Sequence, residues 1–269
     1  MNEVRHSIFR KQKAAYFAIV IGIIVVLGFA LKEEIGKTVW TVSHTPMLAL
    51  VFNYDAMQAL EIGNYYFNAY GDGVYDLAKA QKYFYVALDI DPEVPDAWHQ
   101  LARIDFLNGD FEDALQKINT QIAVHGDTFM ASYYIRGLIY GYMKLYDEAE
   151  KDFLTFLTWD TRNWAAYNDL AWVYFSRGNY ERSLWAAKQG YAVDPDNALV
   201  LNMYGLSLMN LGRGEEAIPF LEKALAEAKK LSEADWHKAY PGNDPSVAKT
   251  GLEEVVKSIT YNLDLAVSN

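Results

Sequence analysis

The sequence of 269 residues contains no cysteine. Disulfide bonds, thiolate metal ligands, cysteine nucleophiles and a lipid-modified cysteine are therefore excluded. Several catalytic and nucleotide-binding motifs are also missing, because the chain has no GxGxxG, no phosphate-binding loop, no GxSxG and no HExxH. Its five histidines are scattered without the spacing of metal ligands. We therefore expect no catalytic residues, no metal and no cofactor, and a protein that is not an enzyme.

Basic residues are scarce as well, with 24 Lys and Arg against 35 Asp and Glu, which gives a net charge of −11. Binding to a phosphate backbone needs a basic surface, so we expect no nucleic-acid partner. Hydrophobic residues make up 52% of the chain and aromatic residues 15%, enough for a substantial core.

One long uncharged stretch lies near the N-terminus. Residues 14–31 contain no charged side chain, and their length is close to the minimum for crossing a hydrocarbon core of about 30 Å. The basic segment 1–13 precedes this stretch, which predicts a transmembrane anchor with a cytoplasmic N-terminus. A signal peptide cleaved after Ala30 is the alternative, because Gly28 and Ala30 have cleavage-site spacing. The uncleaved anchor is favoured, since the apolar run continues through this point.

A period of 34 residues runs through the rest of the chain. Segments that begin at Ala97, Ser132, Ala166 and Val200 follow one another after 35, 34 and 34 residues. Each has a large residue at its second position, a small residue four positions later and another small residue after twelve more. In chain order these are Trp98, Ala102 and Ala114; Tyr133, Gly137 and Ala149; Tyr167, Ala171 and Ser183; Leu201, Gly205 and Ala217.

This pattern resembles the tetratricopeptide repeat (TPR) family, whose unit is a pair of antiparallel helices. The resemblance implies an all-α fold, a solenoid of TPR helical hairpins with about five repeats over residues 56–231 and a C-terminal capping helix. The units are expected at 56–92, 95–128, 130–163, 164–197 and 198–231, and the small residues should let paired helices approach closely. Asp105, Arg136 and Gln121 depart from the pattern, because the family has Tyr, Leu and Ala there.

Two segments flank the predicted solenoid. Residues 32–55 are expected to form a linker and a leading helix, which starts at Pro46 and continues without a break through Leu60. Its apolar section MLALVF covers the first repeat or touches lipid, and the former is favoured. Residues 232–269 are expected to form a loop and the capping helix, with Asp244 as its N-cap. The apolar stripe of that helix is predicted to contain Val247, Leu252, Val255, Val256, Ile259 and Leu263.

In the TPR family, extended peptides or partner helices lie in a concave groove that the first helix of each pair lines. By this resemblance the candidate partner-binding residues are His99, Arg103, Tyr134, Asn168, Trp172 and Asn202. Asparagine amides can hold a peptide backbone, aromatic rings can grip a side chain, and Arg with His can meet a carboxylate. The alternative is that these side chains only pack between helices.

Five tyrosines lie between residues 133 and 146. The repeat assigns Tyr133, Tyr140 and Tyr146 to the core, so Tyr134 and Tyr142 should face the groove.

In organisation the chain is similar to bacterial membrane-anchored TPR proteins. We therefore expect a single-pass protein of the inner (plasma) membrane, with its TPR domain on the periplasmic, extracytoplasmic side. It would be a scaffold or assembly factor that binds a protein or peptide partner through its concave surface, with a membrane complex as the expected partner, and its oligomeric state stays open. The alternatives are a secreted soluble TPR domain that binds a non-protein ligand such as a glycan, or a space-filling accessory subunit.

Overall fold

The computed structural model describes residues 28, 31–38, 40, 46–68, 75–126, 128–239 and 244–268. Over these residues the fold is all-helical, and they contain no β-strand. The helices are Pro46–Phe52 (α1), Ala56–Asn68 (α2), Leu77–Ile90 (α3), Ala97–Asn108 (α4), Phe111–His125 (α5), Ala131–Tyr142 (α6), Tyr146–Trp159 (α7), Trp164–Ser176 (α8), Tyr180–Val193 (α9), Ala198–Asn210 (α10), Gly214–Ala228 (α11), Glu233–Ala239 (α12) and Ala248–Ser268 (α13). Residues 31–38 are helical too, and Pro245–Val247 form a short 3₁₀ turn.

Ten of these helices form five consecutive pairs, from α2–α3 through α10–α11. The two helices of a pair pack against each other, and the second helix of one pair packs against the first helix of the next. This arrangement confirms the predicted solenoid of five helical hairpins.

The turns inside the pairs repeat with the same period as the helices. Gly109, Gly178 and Gly212 have φ angles of 83°, 80° and 72°, in the left-handed region that glycine adopts without strain. Lys144 occupies the equivalent place in the third unit with φ of 62°. Two of the helices that follow the longer connections begin with asparagine caps, at Asn163 and Asn197. The Asn163 side chain accepts a bond from the N–H three residues later at 2.9 Å.

Small residues bring the paired helices together, as the repeat pattern predicts. A Cβ atom added to Gly63, Gly137 or Gly205 would lie 2.5, 3.1 and 2.5 Å from a side chain of the second helix in the same unit. That side chain is phenylalanine in the first and third units and leucine in the fifth. The missing Cβ therefore provides the space that the large side chain fills.

Two departures from the repeat pattern are balanced by oppositely charged partners. Arg136 donates to both carboxylate oxygens of Asp152, at 2.6 and 2.9 Å, and to Asn119 Oδ1 at 2.9 Å. Asp105 pairs with Lys117 in the same way across the second unit. Because each buried carboxylate has a cation beside it, the pattern is broken without leaving an unpaired charge.

The predicted core tyrosines lie where the repeat places them. Tyr133, Tyr140 and Tyr146 are partly buried and pack against the core of the third and fourth units. Tyr142, in contrast, is 55% exposed.

The prediction of one continuous leading helix is wrong. The helix α1 ends at Phe52, and α2 begins only at Ala56. The side chain of Asp55 accepts a bond from the backbone N–H of Gln58 at 3.1 Å. This is the bond of a helix N-cap, so a new helix begins after Asp55. Ala49 is fully buried in the core of the first unit, as expected for a segment that covers the first repeat.

The helix α13 packs along α11 and closes the last unit. Ile259 is fully buried, and Val255, Val256 and Leu263 pack beside it, so most of the predicted stripe lies on the inner face. Val247 is half exposed and does not belong to the stripe, because it lies in the 3₁₀ turn before the helix.

The segment before α13 returns to the start of the solenoid. On α12, the His237 Nε2 atom lies 3.2 Å from the backbone oxygen of Asn68, at the end of α2. Farther along, the charge of Asp244 acts on Tyr75, whose pKa burial raises to about 12 with Asp244 adding to the effect. The predicted loop therefore approaches the first unit as well as joining the last unit to the cap.

Among the described residues, no helix has both the length and the apolar character needed to cross a membrane. The predicted anchor over residues 14–31 lies outside the described residues, except for Gly28 and Leu31.

Candidate functional site

The first helices of the units lie on the inner side of the solenoid. Neighbouring first helices contact one another, as α4 does with α6, α6 with α8 and α8 with α10. Within the described ranges, neighbouring second helices make no comparable contacts. Helices on the inside of a curve are closer together than those on the outside, so the first helices line the concave face.

His99 lies on this side of α4, but its side chain is only 5% exposed. Its Nδ1 atom is 3.1 Å from Ser132 Oγ, and its ring meets Phe129 edge-on at 5.1 Å. Burial, with a smaller effect from the charge of Arg103, lowers the His99 pKa to about 3. The imidazole is therefore neutral at physiological pH and packs between the second and third units.

Arg103 lies one helical turn farther along α4. Its guanidinium stacks over the ring of Phe67 at 4.6 Å and donates to Gln100 Oε1 at 2.9 Å. Its charge also lowers the pKa of Tyr75, against the larger effect of burial. Arg103 thus lies between the first two units.

Tyr134 links the third unit to the fourth. Its hydroxyl donates to Asp169 Oδ2 at 2.6 Å, and its ring lies against Phe153 and Phe156. Asp169 also accepts a bond from Asn168 Nδ2 at 3.3 Å. Burial raises the Asp169 pKa to about 6, while these two hydrogen bonds act in the opposite direction.

The two predicted asparagines have different surroundings. Asn202 accepts a bond from Asn262 Nδ2 at 3.0 Å, so the capping helix engages its amide oxygen. Asn168, in the fourth unit, has a buried Oδ1 atom that forms no hydrogen bond within the chain. Among the described residues the Asn168 amide oxygen is therefore buried without a partner, whereas the Asn202 amide oxygen is bonded to the capping helix.

Trp172 fits closely against the third unit. A Cβ atom on Gly141 would lie 2.7 Å from Trp172 Cζ3, so the glycine makes room for the indole. The ring of Tyr142 lies 5.3 Å from the indole and 5.1 Å from Phe106. These rings form an aromatic row across three units, and its most exposed member is Tyr142.

Of the six predicted residues, the structure brings Tyr134, Asn168 and Trp172 together, around Asp169 and Tyr142. We call these five residues the unit-three/four patch. His99, Arg103 and Asn202 lie outside this patch, in the contacts described above.

Sequence reasoning missed Asp169, although one signal was available. It is the only charged residue of α8, whose other residues are apolar, aromatic or neutral polar.

No group of three or more His, Asp or Glu side chains within the described ranges could hold a metal ion.

Three family models, each described as tetratricopeptide repeat, match residues 74–129, 131–163 and 168–232. Together these matches cover more than half of the chain. No curated protein matches the sequence.

Among solved structures, a crystal structure of MamA protein has 21% identity and a TM-score of 0.54, covering 65% of this chain and 92% of that chain. MamA from Desulfovibrio magneticus RS-1 has 15% identity and a TM-score of 0.56, covering 66% and 97%. YrrB, a TPR protein with an unusual peptide-binding site, has 17% identity and a TM-score of 0.54, covering 70% and 98%. At these identities the likeness concerns the fold alone. The repeat models and the helical hairpins agree, and the chain belongs to the tetratricopeptide repeat family.

Proposed function

We propose that the chain is a membrane-anchored scaffold or assembly factor that binds a protein or peptide partner on its concave face. The observation that carries this proposal is the unit-three/four patch. There, an exposed aromatic ring, an unpaired amide oxygen and a carboxylate lie together on the side of the solenoid lined by the first helices. Aromatic side chains beside a few polar groups are typical of surfaces that bind peptides.

The proposed partner site excludes the first two units. There Arg103 already stacks on Phe67, and His237 of the returning C-terminal segment contacts the end of α2. His99 is buried between units, and Asn202 bonds to the capping helix. A partner would therefore make its main contacts with the third and fourth units. The six predicted residues would contribute unequally to the affinity for the partner.

A crosslinking experiment tests the partner site. Tyr142, which is 55% exposed, is replaced by the photoreactive analogue p-benzoylphenylalanine in the full chain in native membranes. The matched control places the same group at Trp185, which is 46% exposed on a second helix. We expect a specific protein adduct from position 142 and none from position 185. Adducts from position 185 alone would contradict the concave-face proposal.

The anchor is proposed from residues 14–31, which are uncharged and follow a basic segment. It would place the N-terminus in the cytoplasm and the TPR domain on the periplasmic side of the inner membrane. We expect the full chain to remain in the membrane fraction after alkaline extraction and to keep its original N-terminus. A mature protein that starts near Leu31 would exclude the anchor and favour a secreted domain.

A further inference from the structure

The carboxylate of Asp169 lies on the concave face without a cationic partner. Its hydrogen bonds come from neutral groups, the Tyr134 hydroxyl and the Asn168 amide. No salt bridge to Asp169 occurs within the described part of the chain. A carboxylate offers about four acceptor positions, so two bonds leave it able to accept more.

The other carboxylates buried between paired helices have cations beside them. Asp152 is held by the two-pronged bond from Arg136, and Asp105 is paired with Lys117. In both pairs the cation lies on the other helix of the same unit. Asp169 has no such pair among the described residues, and neither has Asp96, whose bond comes from the neutral Gln100. A cation that pairs with Asp169 would therefore come from outside the chain.

The surroundings of Asp169 suit a cation. The ring centroids of Tyr142 and Trp172 lie 5.3 Å apart with their planes inclined at 41°. Trp172 follows Asp169 by three residues on α8, so the two side chains lie on one face of the helix. Burial raises the pKa of Tyr142, and the Asp169 charge adds to this effect. Aromatic faces attract ammonium and guanidinium groups, and the attraction adds to that of a nearby carboxylate. Elsewhere in the chain Arg103 and Arg182 lie over aromatic rings in this way.

The charge of the whole domain favours the same kind of partner. Residues 1–31 carry four Lys or Arg and one Glu, so the remaining residues have a net charge of −14. A field of this sign speeds the approach of cationic ligands and repels acidic ones.

We propose that the unit-three/four patch binds a lysine or arginine side chain of an extended segment of the partner protein, which pairs with Asp169 beside the aromatic row of Tyr142 and Trp172. This inference rests on the proposed function and specifies its partner. Asn168 donates to the same carboxylate through Nδ2, while its Oδ1 is buried and forms no hydrogen bond among the described residues.

A purely structural role for Asp169 makes a different prediction. In that case its function is the bond from Tyr134, which ties α6 to α8. Asparagine keeps an oxygen that can accept this bond, so Asp169→Asn would leave binding unchanged. The substitution therefore separates recognition of a charge from simple packing.

The first test repeats the crosslinking from position 142 in three versions of the full chain, which are the unaltered chain, Asp169→Asn and Asp89→Asn. Asp89 is an exposed residue of α3, so its substitution removes the same charge away from the concave face. We expect Asp169→Asn to reduce the adduct about tenfold or more, the size of a lost charged hydrogen bond. Asp89→Asn should leave the yield unchanged.

The outcomes of this test distinguish the two proposals. Equal yields from all three versions would overturn the cation inference and leave the proposed function intact. No adduct from the unaltered chain would overturn the proposed function, and the inference with it.

The second test uses purified full-length chain in detergent and degenerate nine-residue peptide pools with a fixed central residue. The central residue is lysine, arginine, norleucine or citrulline, and the retained peptide is measured after capture. We expect the lysine and arginine pools to be retained at least fivefold above their neutral counterparts. Asp169→Asn should abolish this preference, and Asp89→Asn should keep it. Equal retention of charged and neutral pools by the unaltered chain would refute the inference.

Discussion

The charge on Asp169 should make the folded protein less stable at neutral pH than it would be without that charge. Burial raises its pKa from an ordinary value of 3.8 to about 6. One pKa unit corresponds to about 1.4 kcal/mol, so the fully ionised carboxylate costs up to about 3 kcal/mol of folding free energy. Asp169 keeps some contact with solvent, and we therefore expect about 1–2 kcal/mol.

The Asp169→Asn substitution removes this cost while keeping the shape of the side chain. The new amide oxygen can accept the bond from Tyr134, and its NH₂ group can donate to the oxygen of Asn168 that has no partner. We expect the variant to be about 1–2 kcal/mol more stable than the unaltered chain at pH 8. Urea unfolding followed by tryptophan fluorescence and circular dichroism measures the difference, with Asp89→Asn expected within about 0.5 kcal/mol of the unaltered chain.

The pH dependence provides the sharper test. The folded pKa of Asp169 lies above its unfolded value, so the folded state takes up this proton first as the pH falls. The stability difference between Asp169→Asn and the unaltered chain should be complete above about pH 6 and should vanish by about pH 4. A variant that is no more stable at pH 8, or whose advantage persists at pH 4, would refute the reasoning.

Three further predictions concern other parts of the solenoid. Gly141→Ala should destabilise the fold by about 1–3 kcal/mol in urea unfolding, because the new methyl group would lie 2.7 Å from the Trp172 ring. Arg136→Leu, which restores the residue usual for the family, should cost about 3–5 kcal/mol because Asp152 becomes a buried unpaired charge; Asp152→Ala in the same chain should recover part of this loss. The His99 ring should show no NMR titration between pH 5 and 8, because its pKa is lowered to about 3. The free energy of unfolding should decrease as the pH falls below 6.5, because the unfolded chain then binds a proton at His99 that the folded chain does not.

Each of these predictions has a matched control or a contrary outcome. Gly214→Ala places its methyl group 3.8 Å from the nearest atom, so it should be neutral or stabilising by up to about 1 kcal/mol. If the double substitution at 136 and 152 is as unstable as Arg136→Leu alone, the unpaired charge is not the cause. A His99 resonance that titrates near pH 6.5 would contradict its burial.

The solenoid was predictable because its information is local and repeated. The units share one pattern, in which a small residue on the first helix lies opposite a large residue on the second helix, as at Gly63, Gly137 and Gly205. Tyr133 and Tyr140 could be assigned to the core by comparison with neighbouring units. Because the pattern occurs five times, the fold could be predicted in spite of residues such as Arg136 that depart from it.

The contacts specific to this chain were harder to predict. The break before α2 depends on the side chain of Asp55, which competes with a continuous apolar pattern. The role of Asp169 was hidden because the family pattern marks Asn168 and says nothing of the next residue. The contact of His237 with Asn68 joins residues 169 positions apart and depends on the curvature of the whole solenoid. Curvature is the sum of small rotations from one unit to the next, so the residues that meet across the solenoid cannot be predicted from any single repeat.

That contact has a mechanical consequence. In a solenoid of helical pairs each pair contacts only its neighbours, so the two ends are free and small rotations between pairs add along its length. Here His237 on α12, which follows the last unit, contacts the end of α2 in the first unit, so the two ends of the solenoid are linked. A change in the curvature of the concave face must therefore alter the contact between His237 and Asn68.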